Sequence, residues 1–312
     1  MMAITTSNGS TKEHGSSLRR QAAVLITGAS SGIGFATALR MARRGTIVFA
    51  GIRRQIDGEK LLREGAGNIR PMLIDVVDQG SLFRARAKIE SLREYRLDGL
   101  VNNAGVALGG PFELLPLEEL RKQFDVNFFG AIAAIQTFLP LLRESGGRIV
   151  NVSSIGGKLA APFMGAYSAS KFALEAASDA LRLELRPFGV AVSIVEPGSV
   201  KTPFWRRSAE ASLKIMDGAA PETRSEYDAM IRSVVRLAER HEANAILPEA
   251  VARVIERALF ARRPRARYLV GSDARIRLLV ARLPEPVRDL IVMTAFGMTK
   301  KRGERSLAGR RG

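Results

Sequence analysis

The chain has no cysteine, which excludes disulfides, a thiol nucleophile and thiolate metal sites. Its two histidines, His14 and His241, stand far apart in sequence, which argues against a histidine metal centre and against a Ser-His-Asp triad. Aromatic residues make up 6% of the chain, with Trp205 the single tryptophan. No continuous apolar run reaches the roughly 20 residues that a membrane-crossing helix needs. Residues 1–17 are rich in Ser, Thr and Gly and lack the apolar centre of a secretory signal, so a cytoplasmic location is expected.

What is present fits a globular protein: 312 residues, 46% hydrophobic and 25% charged. The net charge of +17 is unevenly spread. Residues 253–312 hold 16 Arg and Lys against 5 Asp and Glu, a net +11. The excess therefore belongs to the C-terminal region, and with no recognition motif beside it nucleic acid is not an expected partner.

Apolar strand-like runs at residues 22–27 (AAVLIT), 46–50, 72–74, 100–101, 148–152 and 190–195 alternate with helix-like segments at 81–95, 117–143 and 166–186. Such alternation predicts an α/β fold, a doubly wound parallel sheet of Rossmann type covered on both faces. Residues 1–19 read as a flexible N-terminal segment and 20–270 as one catalytic domain. Between 203 and 247 the alternation lapses, with a helix-like stretch at 225–240; this reads as a substrate lid or, alternatively, a surface excursion. Residues 271–312 form a basic C-terminal extension.

Gly28, Gly32 and Gly34, in TGASSGIG, fall between the first strand and the first helix. Glycines there let the backbone approach a pyrophosphate held at the helix N-terminus, although any tight strand-to-helix turn can use them. After the second strand the chain reads Gly51-Ile52-Arg53-Arg54, with no acid before Asp57. An acid at that point would bind a free ribose 2′-hydroxyl, whereas arginine suits a 2′-phosphate. The pattern favours NADP(H) and leaves NAD(H) open, as it does a merely solvated arginine pair.

Tyr167 and Lys171 are one turn apart on a predicted helix and share a face. A free tyrosine, with a pKa near 10, is a poor base at neutrality, and a neighbouring ammonium is expected to lower that value. With Asn102-Asn103-Ala104-Gly105, Asn127, Ser153-Ser154 and TGASSGIG, this set resembles the NAD(P)-binding short-chain dehydrogenase/reductase family over about residues 24–202. The resemblance implies a catalytic tetrad of Asn127, Ser154, Tyr167 and Lys171. Tyr167 would be the general acid and base, Lys171 would also hold the nicotinamide ribose, and Ser154 would donate to the substrate oxygen. Asn127 would hold a helix and a water in a proton relay. It further implies a cofactor site of Gly28, Ser30, Ser31, Gly32, Ile33, Gly34, Arg53, Asp75, Val76, Asn103, Ala104, Gly105, Tyr167, Lys171, Pro197, Gly198, Val200 and Thr202. Asp75 matches the adenine-contacting position, with a helix cap as its other reading. A homodimer or homotetramer packed through the helices of Asn127 and Tyr167 is implied as well.

Residues 156–165 (GGKLAAPFMG) are expected to line the substrate pocket with Leu159, Pro162, Phe163 and Met164, and Phe204 and Trp205 extend that apolar character. Together with PGSVKTPF and RYLVGSDA, this is similar to the hydroxysteroid and retinol dehydrogenase branch. The expected function is NADP(H)-dependent interconversion of a lipophilic secondary alcohol and its ketone, and the alternative is a non-catalytic NADP(H)-binding sensor. Residues 276–298 read as two apolar helices flanked by arginines and split by Pro284 and Pro286. They are suited to packing on the domain or a second subunit, or to peripheral contact with an anionic membrane.

Overall fold

The computed structural model describes residues 20–298 apart from Ala66, Ala219 and Asn244. The segment 1–19, with His14, and the tail bearing Lys300, Lys301 and Arg302 lie outside the described residues.

The first half of the chain alternates strictly. β1 (Gln21–Ile26), α1 (Gly32–Arg43), β2 (Ile47–Ile52), α2 (Gln55–Glu64), β3 (Ile69–Leu73), α3 (Gln79–Ser91) and β4 (Tyr95–Asn102) follow one another. α4 (Leu117–Phe124) then runs through a π-helical turn at Asp125–Phe129 into α5 (Gly130–Ser145), followed by β5 (Arg148–Val152), α6 (Gly165–Glu184) and β6 (Ala191–Pro197). Two helices, α7 (Pro203–Asp217) and α8 (Pro221–Ala243), precede α9 (Pro248–Phe260) and β7 (Arg267–Val270). The described chain closes with α10 (Ser272–Ala281) and α11 (Glu285–Ala295).

All seven strands pair in parallel, in the order β3-β2-β1-β4-β5-β6-β7. This is the expected doubly wound sheet. Alternate side chains of β1 go to opposite faces, Val24 and Ile26 to the layer under α1 and α9, Ala23 and Leu25 to the layer under α3 and α5. Burial on both faces is why β1 and β2 are continuous apolar runs. Arg40 of α1 and Arg44 at its C-terminal end pair with Glu256 of α9 and tie those two helices together.

Several elements differ from the sequence-based expectation. The helix expected to reach Tyr95 ends at Ser91, and Tyr95 instead opens an eight-residue β4. The long helix expected at 117–143 is interrupted by the π turn that contains Asn127. Elements α2, α7, α9 and β7 had no counterpart in the expectation. The continuous helical stretch Leu117–Ser145 is long and apolar enough to cross a membrane, with a mean hydropathy of 1.4. Its apolar side chains are spent on the sheet, because Ala134, Ile135, Phe138 and Leu142 pack against β1, β4 and β5.

Phe138 is fully buried in this layer. Phe138→Ala is expected to lower stability by about 3–5 kcal/mol through lost burial and a residual cavity, read from the midpoint of urea unfolding at unchanged slope.

Candidate active site

The winding of the sheet reverses between β1 and β4, and parallel sheets bind ligands at the carboxyl ends of the strands at such a point. Here a cleft of about 810 Å³ opens. The first wall is the TGASSGIG turn. Gly28 and Gly32 have φ of +64° and +58°, a region that side chains with a Cβ rarely adopt. A Cβ on Gly28 would lie 2.8 Å from Ala104 Cα, and one on Gly34 would lie 2.3 Å from the Gly28 carbonyl oxygen. These glycines therefore allow the turn, α1 and the β4 loop to meet closely. Thr27, which the sequence reading passed over, locks the junction: its Oγ1 accepts from the amides of Asn103 (3.0 Å) and Ala104 (3.1 Å).

Of the residues expected at the cofactor site, all but Gly34 line the cleft, from Ser30, Ser31 and Ile33 to Asp75, Val76, Pro197, Gly198, Val200 and Thr202. Gly34 stands behind the turn as a packing glycine. Arg54 is held by Asp57 through two hydrogen bonds of 3.0 and 2.8 Å, so its guanidinium is committed to the first turn of α2. Arg53 is exposed at the cleft and forms no ion pair or hydrogen bond among the described residues. Asp75 Oδ1 accepts from the Val77 amide at 3.2 Å, a local turn at the cleft wall.

The tetrad residues converge below this cradle. Tyr167 and Lys171, in the first turns of α6, are buried, as is Ser154 after β5. Lys171 Nζ donates to the Val152 carbonyl at 2.9 Å and lies 5.9 Å from the Tyr167 ring centre. Burial pushes the Tyr167 hydroxyl up to about 12, with Ser154 pulling the other way, and pushes Lys171 down to about 8. The expectation that the ammonium lowers the tyrosine is thus not met. Desolvation outweighs it, and the ammonium is committed to Val152. Ser154 Oγ accepts from the Gly156 amide at 3.0 Å. Asn127 is buried and its amide is fully engaged, with Nδ2 donating to Val106 O (2.8 Å) and Ser170 Oγ (2.9 Å) and Oδ1 accepting from Val106 N (2.8 Å). Its side chain clamps the β4 loop to α6.

The apolar wall is not where the sequence suggested. Leu159, Pro162, Phe163 and Met164 do not line the cleft. Phe163 has a φ of +63°, its carbonyl accepts from the Gly110 amide at 2.7 Å, and its ring packs edge-on against Tyr227 of α8. The backbone reversal turns that loop toward α8 instead. Phe204 and Trp205 of α7 form the wall, with ring centres 6.2 and 5.9 Å from Tyr167, joined by Ala107, Val126 and Ala211.

Behind Lys171 is a charged cluster that the sequence reading did not find. Glu175, one turn beyond Lys171, is buried and pairs with Lys158 (2.8 Å) and Arg267 (3.1 Å). Glu196 at the end of β6 pairs with Arg267 at 3.2 Å, and burial together with Glu175 pushes it up to about 7. The only sequence signal was the four-residue spacing of Lys171 and Glu175.

Residues 22–212 match the family model described as short chain dehydrogenase. The chain belongs to the short-chain dehydrogenase family. A 3-ketodihydrosphingosine reductase of Bacteroides thetaiotaomicron is 37% identical over 251 residues, covering 80% of this chain and 87% of that protein. Human retinol dehydrogenase 5 is 37% identical over 277 residues, 86% of this chain and 87% of that protein. Among solved structures, a short-chain dehydrogenase from Streptomyces avermitilis superposes with a TM-score of 0.72 at 29% identity, covering 91% of this chain and all of that one. A serine dehydrogenase complexed with NADP+ superposes at 0.66 with 27% identity, over 79% of this chain and 93% of that one. This short-chain dehydrogenase is thus an oxidoreductase of a family that acts on CH–OH groups with NAD(P).

The depressed Lys171 pKa has a consequence for stability. The unfolded lysine titrates near 10.5, and the folded one near 8. Between these values the unfolded chain holds the extra proton, so stability rises with pH there. Relative to Lys171→Met, the wild type should gain up to about 3 kcal/mol between pH 8 and 10.5, measured by urea unfolding of both proteins at each pH.

Proposed function

We propose that this short-chain dehydrogenase interconverts a lipophilic secondary alcohol and its ketone with NADP(H), using Tyr167 as the proton donor and acceptor. The observation that carries the reading is the convergence of Tyr167, Lys171 and Ser154 at the end of a glycine-walled cleft, under an apolar cover of Phe204 and Trp205.

The residues fit a dinucleotide. The space that a Cβ would take at Gly28 and Gly34 is needed for close packing around the cradle, and the α1 N-terminus behind it suits a pyrophosphate. Arg53, without a partner of its own, would pair with a 2′-phosphate, while Asp75 and Val76 would contact the adenine. Asn103, Ala104, Gly105, Pro197, Gly198, Val200 and Thr202 would enclose the nicotinamide half, with Lys171 on its ribose. Once bound, the nicotinamide supplies or accepts the hydride.

Tyr167 is protonated at neutral pH, since its hydroxyl titrates near 12. That suits donation of a proton to a carbonyl oxygen as charge develops there. Ser154 would donate a second hydrogen bond to the same oxygen and stabilise that charge. Asn127 positions α6 and the Val106 loop, so the donors are held before substrate arrives. In the oxidative direction the same phenol must lose its proton, with the Ser154 hydrogen bond working against the burial that retains it.

The aromatic pair over Tyr167 would exclude water and accept an apolar substrate. The names of the Bacteroides and human relatives, a ketodihydrosphingosine reductase and a retinol dehydrogenase, point the same way. We read residues 203–247, with α7 and α8, as the lid: Ser212 of α7 accepts from the Gly109 amide at 2.8 Å, and Tyr227 of α8 donates to Glu113 at 2.6 Å. Exposed Phe129, Phe172 and Leu183, on the π turn and α6, support a homodimer or homotetramer built through those elements.

Tyr167→Phe should reduce kcat for ketone reduction by about 10²–10⁴-fold while leaving NADPH binding, followed by fluorescence titration, nearly unchanged. Retained activity would exclude Tyr167 as the acid. Arg53→Ala should weaken NADPH about 10–100-fold and leave NADH unaffected, which competition between the two nucleotides would reveal. In a ketone panel, faster turnover of small polar ketones than of lipophilic ones would reject the substrate class.

A further inference from the structure

The helix pair α10–α11 carries an apolar face that nothing else in the described chain covers. No residue of α11 is buried. Leu290 and Ile291 are 61% and 40% exposed, and on α10 Ile276 and Leu279, each 63% exposed, stand one turn apart on the same side. An isolated helix of about a dozen residues is marginal in water. α11 touches the rest of the fold mainly through α10, so it calls for an apolar contact from outside.

The charge around this face selects the kind of partner. Arg275 and Arg282 are exposed, and their guanidinium groups make no ion pair or hydrogen bond among the described residues. Of the acids on the two helices, Asp273 is turned inward to the Ser199 amide at 2.8 Å, and Glu285 and Asp289 flank Arg288. Over residues 272–295 four arginines stand against three acids. A two-fold contact with a second copy through this face would bring two sets of unpaired arginines into one interface, with every acid of the two helices already engaged. A lipid surface with anionic headgroups satisfies both features, with apolar side chains at the acyl boundary and guanidinium groups on headgroup phosphates.

We propose that α10–α11 docks the enzyme on an anionic lipid surface. At about 15–17 Å each the helices are far shorter than a bilayer core, and Pro284 breaks the line between them, so they lie in the interface and do not span it. α10 is fastened to the catalytic centre at two points: Asp273 holds the Ser199 loop beside Gly198 at the cleft, and the helix packs on the Ile155–Gly157 turn that follows Ser154. Docking therefore brings the cleft within one helix of the lipid, where a lipophilic ketone would be concentrated. This last step rests on the substrate reading above; the docking does not.

The test is co-sedimentation of the full chain with phosphatidylcholine vesicles, with and without about 30% phosphatidylserine. The wild type should sediment with the anionic vesicles, less so at high salt. Leu290→Glu/Ile291→Glu should lower the bound-to-free ratio about tenfold or more, and Arg275→Ala/Arg282→Ala should lower it on anionic vesicles alone. Phe83→Glu, at an exposed site on α3, should leave it unchanged. No sedimentation of the wild type, or equal sedimentation of the Leu290/Ile291 variant, overturns the proposal. A soluble dimer that this variant splits, without lipid binding, assigns the face to a second copy. Ketone reduction measured in parallel in vesicle-free buffer separates failure of docking from failure of the substrate reading.

Discussion

Where β1 and β4 part, the gap between them is bridged by two neighbouring side chains. Asn103 Nδ2 donates to the carbonyls of Thr27 (3.1 Å) and Gly28 (2.9 Å), and the Thr27 hydroxyl accepts from the backbone on the other side. The backbone groups at the end of β1 are thereby satisfied without a further strand, which a buried strand end otherwise requires. The clamp presses Gly28 onto Ala104 and directs the chain through Gly105, past Asn127 and Lys171. Every other part of the site is placed relative to that junction.

A second constraint is electrostatic. Placing Lys171 in the dry layer between β5 and α6 depresses its affinity for a proton, and the fold offsets this with one carbonyl hydrogen bond and the nearby carboxylate of Glu175. Glu175 is itself buried and must be neutralised in turn. Lys158 and Arg267 do that, and Arg267 also reaches Asp179 and Glu196. A chain of ion pairs therefore runs from Glu175, one turn beyond Lys171, to the last strand of the sheet. It joins β7, which has only four residues, to α6. Buried pairs of this kind add little net stability, but losing one partner leaves a stranded charge.

Much of this was legible from the chain. Continuous apolar runs gave away β1, β2, β5 and β6, and the tetrad stands out because its spacing agrees with a strand-helix alternation. What was not legible has specific causes. The Gln55–Glu64 helix is short, polar overall and contains Gly58, so its few apolar residues do not stand out, and it is held by contact with β2 and β3. The sequence LREYRLDG suits helix or strand equally, and pairing with β1 decides for strand from Tyr95. Leu159–Met164 were misplaced because a single positive φ at Phe163 redirects the loop, and no side-chain pattern signals it. The distinction between Arg53 and Arg54 depends on which of them reaches Asp57, a matter of helix geometry that the adjacent letters do not reveal.

Trp205 is the single tryptophan of the chain. It is half-buried at the cleft, edge-on to the ring of Tyr167 and 5.1 Å from that of Phe204. All indole emission from this protein therefore originates beside Tyr167 at the cleft. Changes in wetness or ring contact at the Tyr167 phenol are written directly into the intrinsic fluorescence, so the enzyme carries its own optical probe where one would otherwise have to be attached.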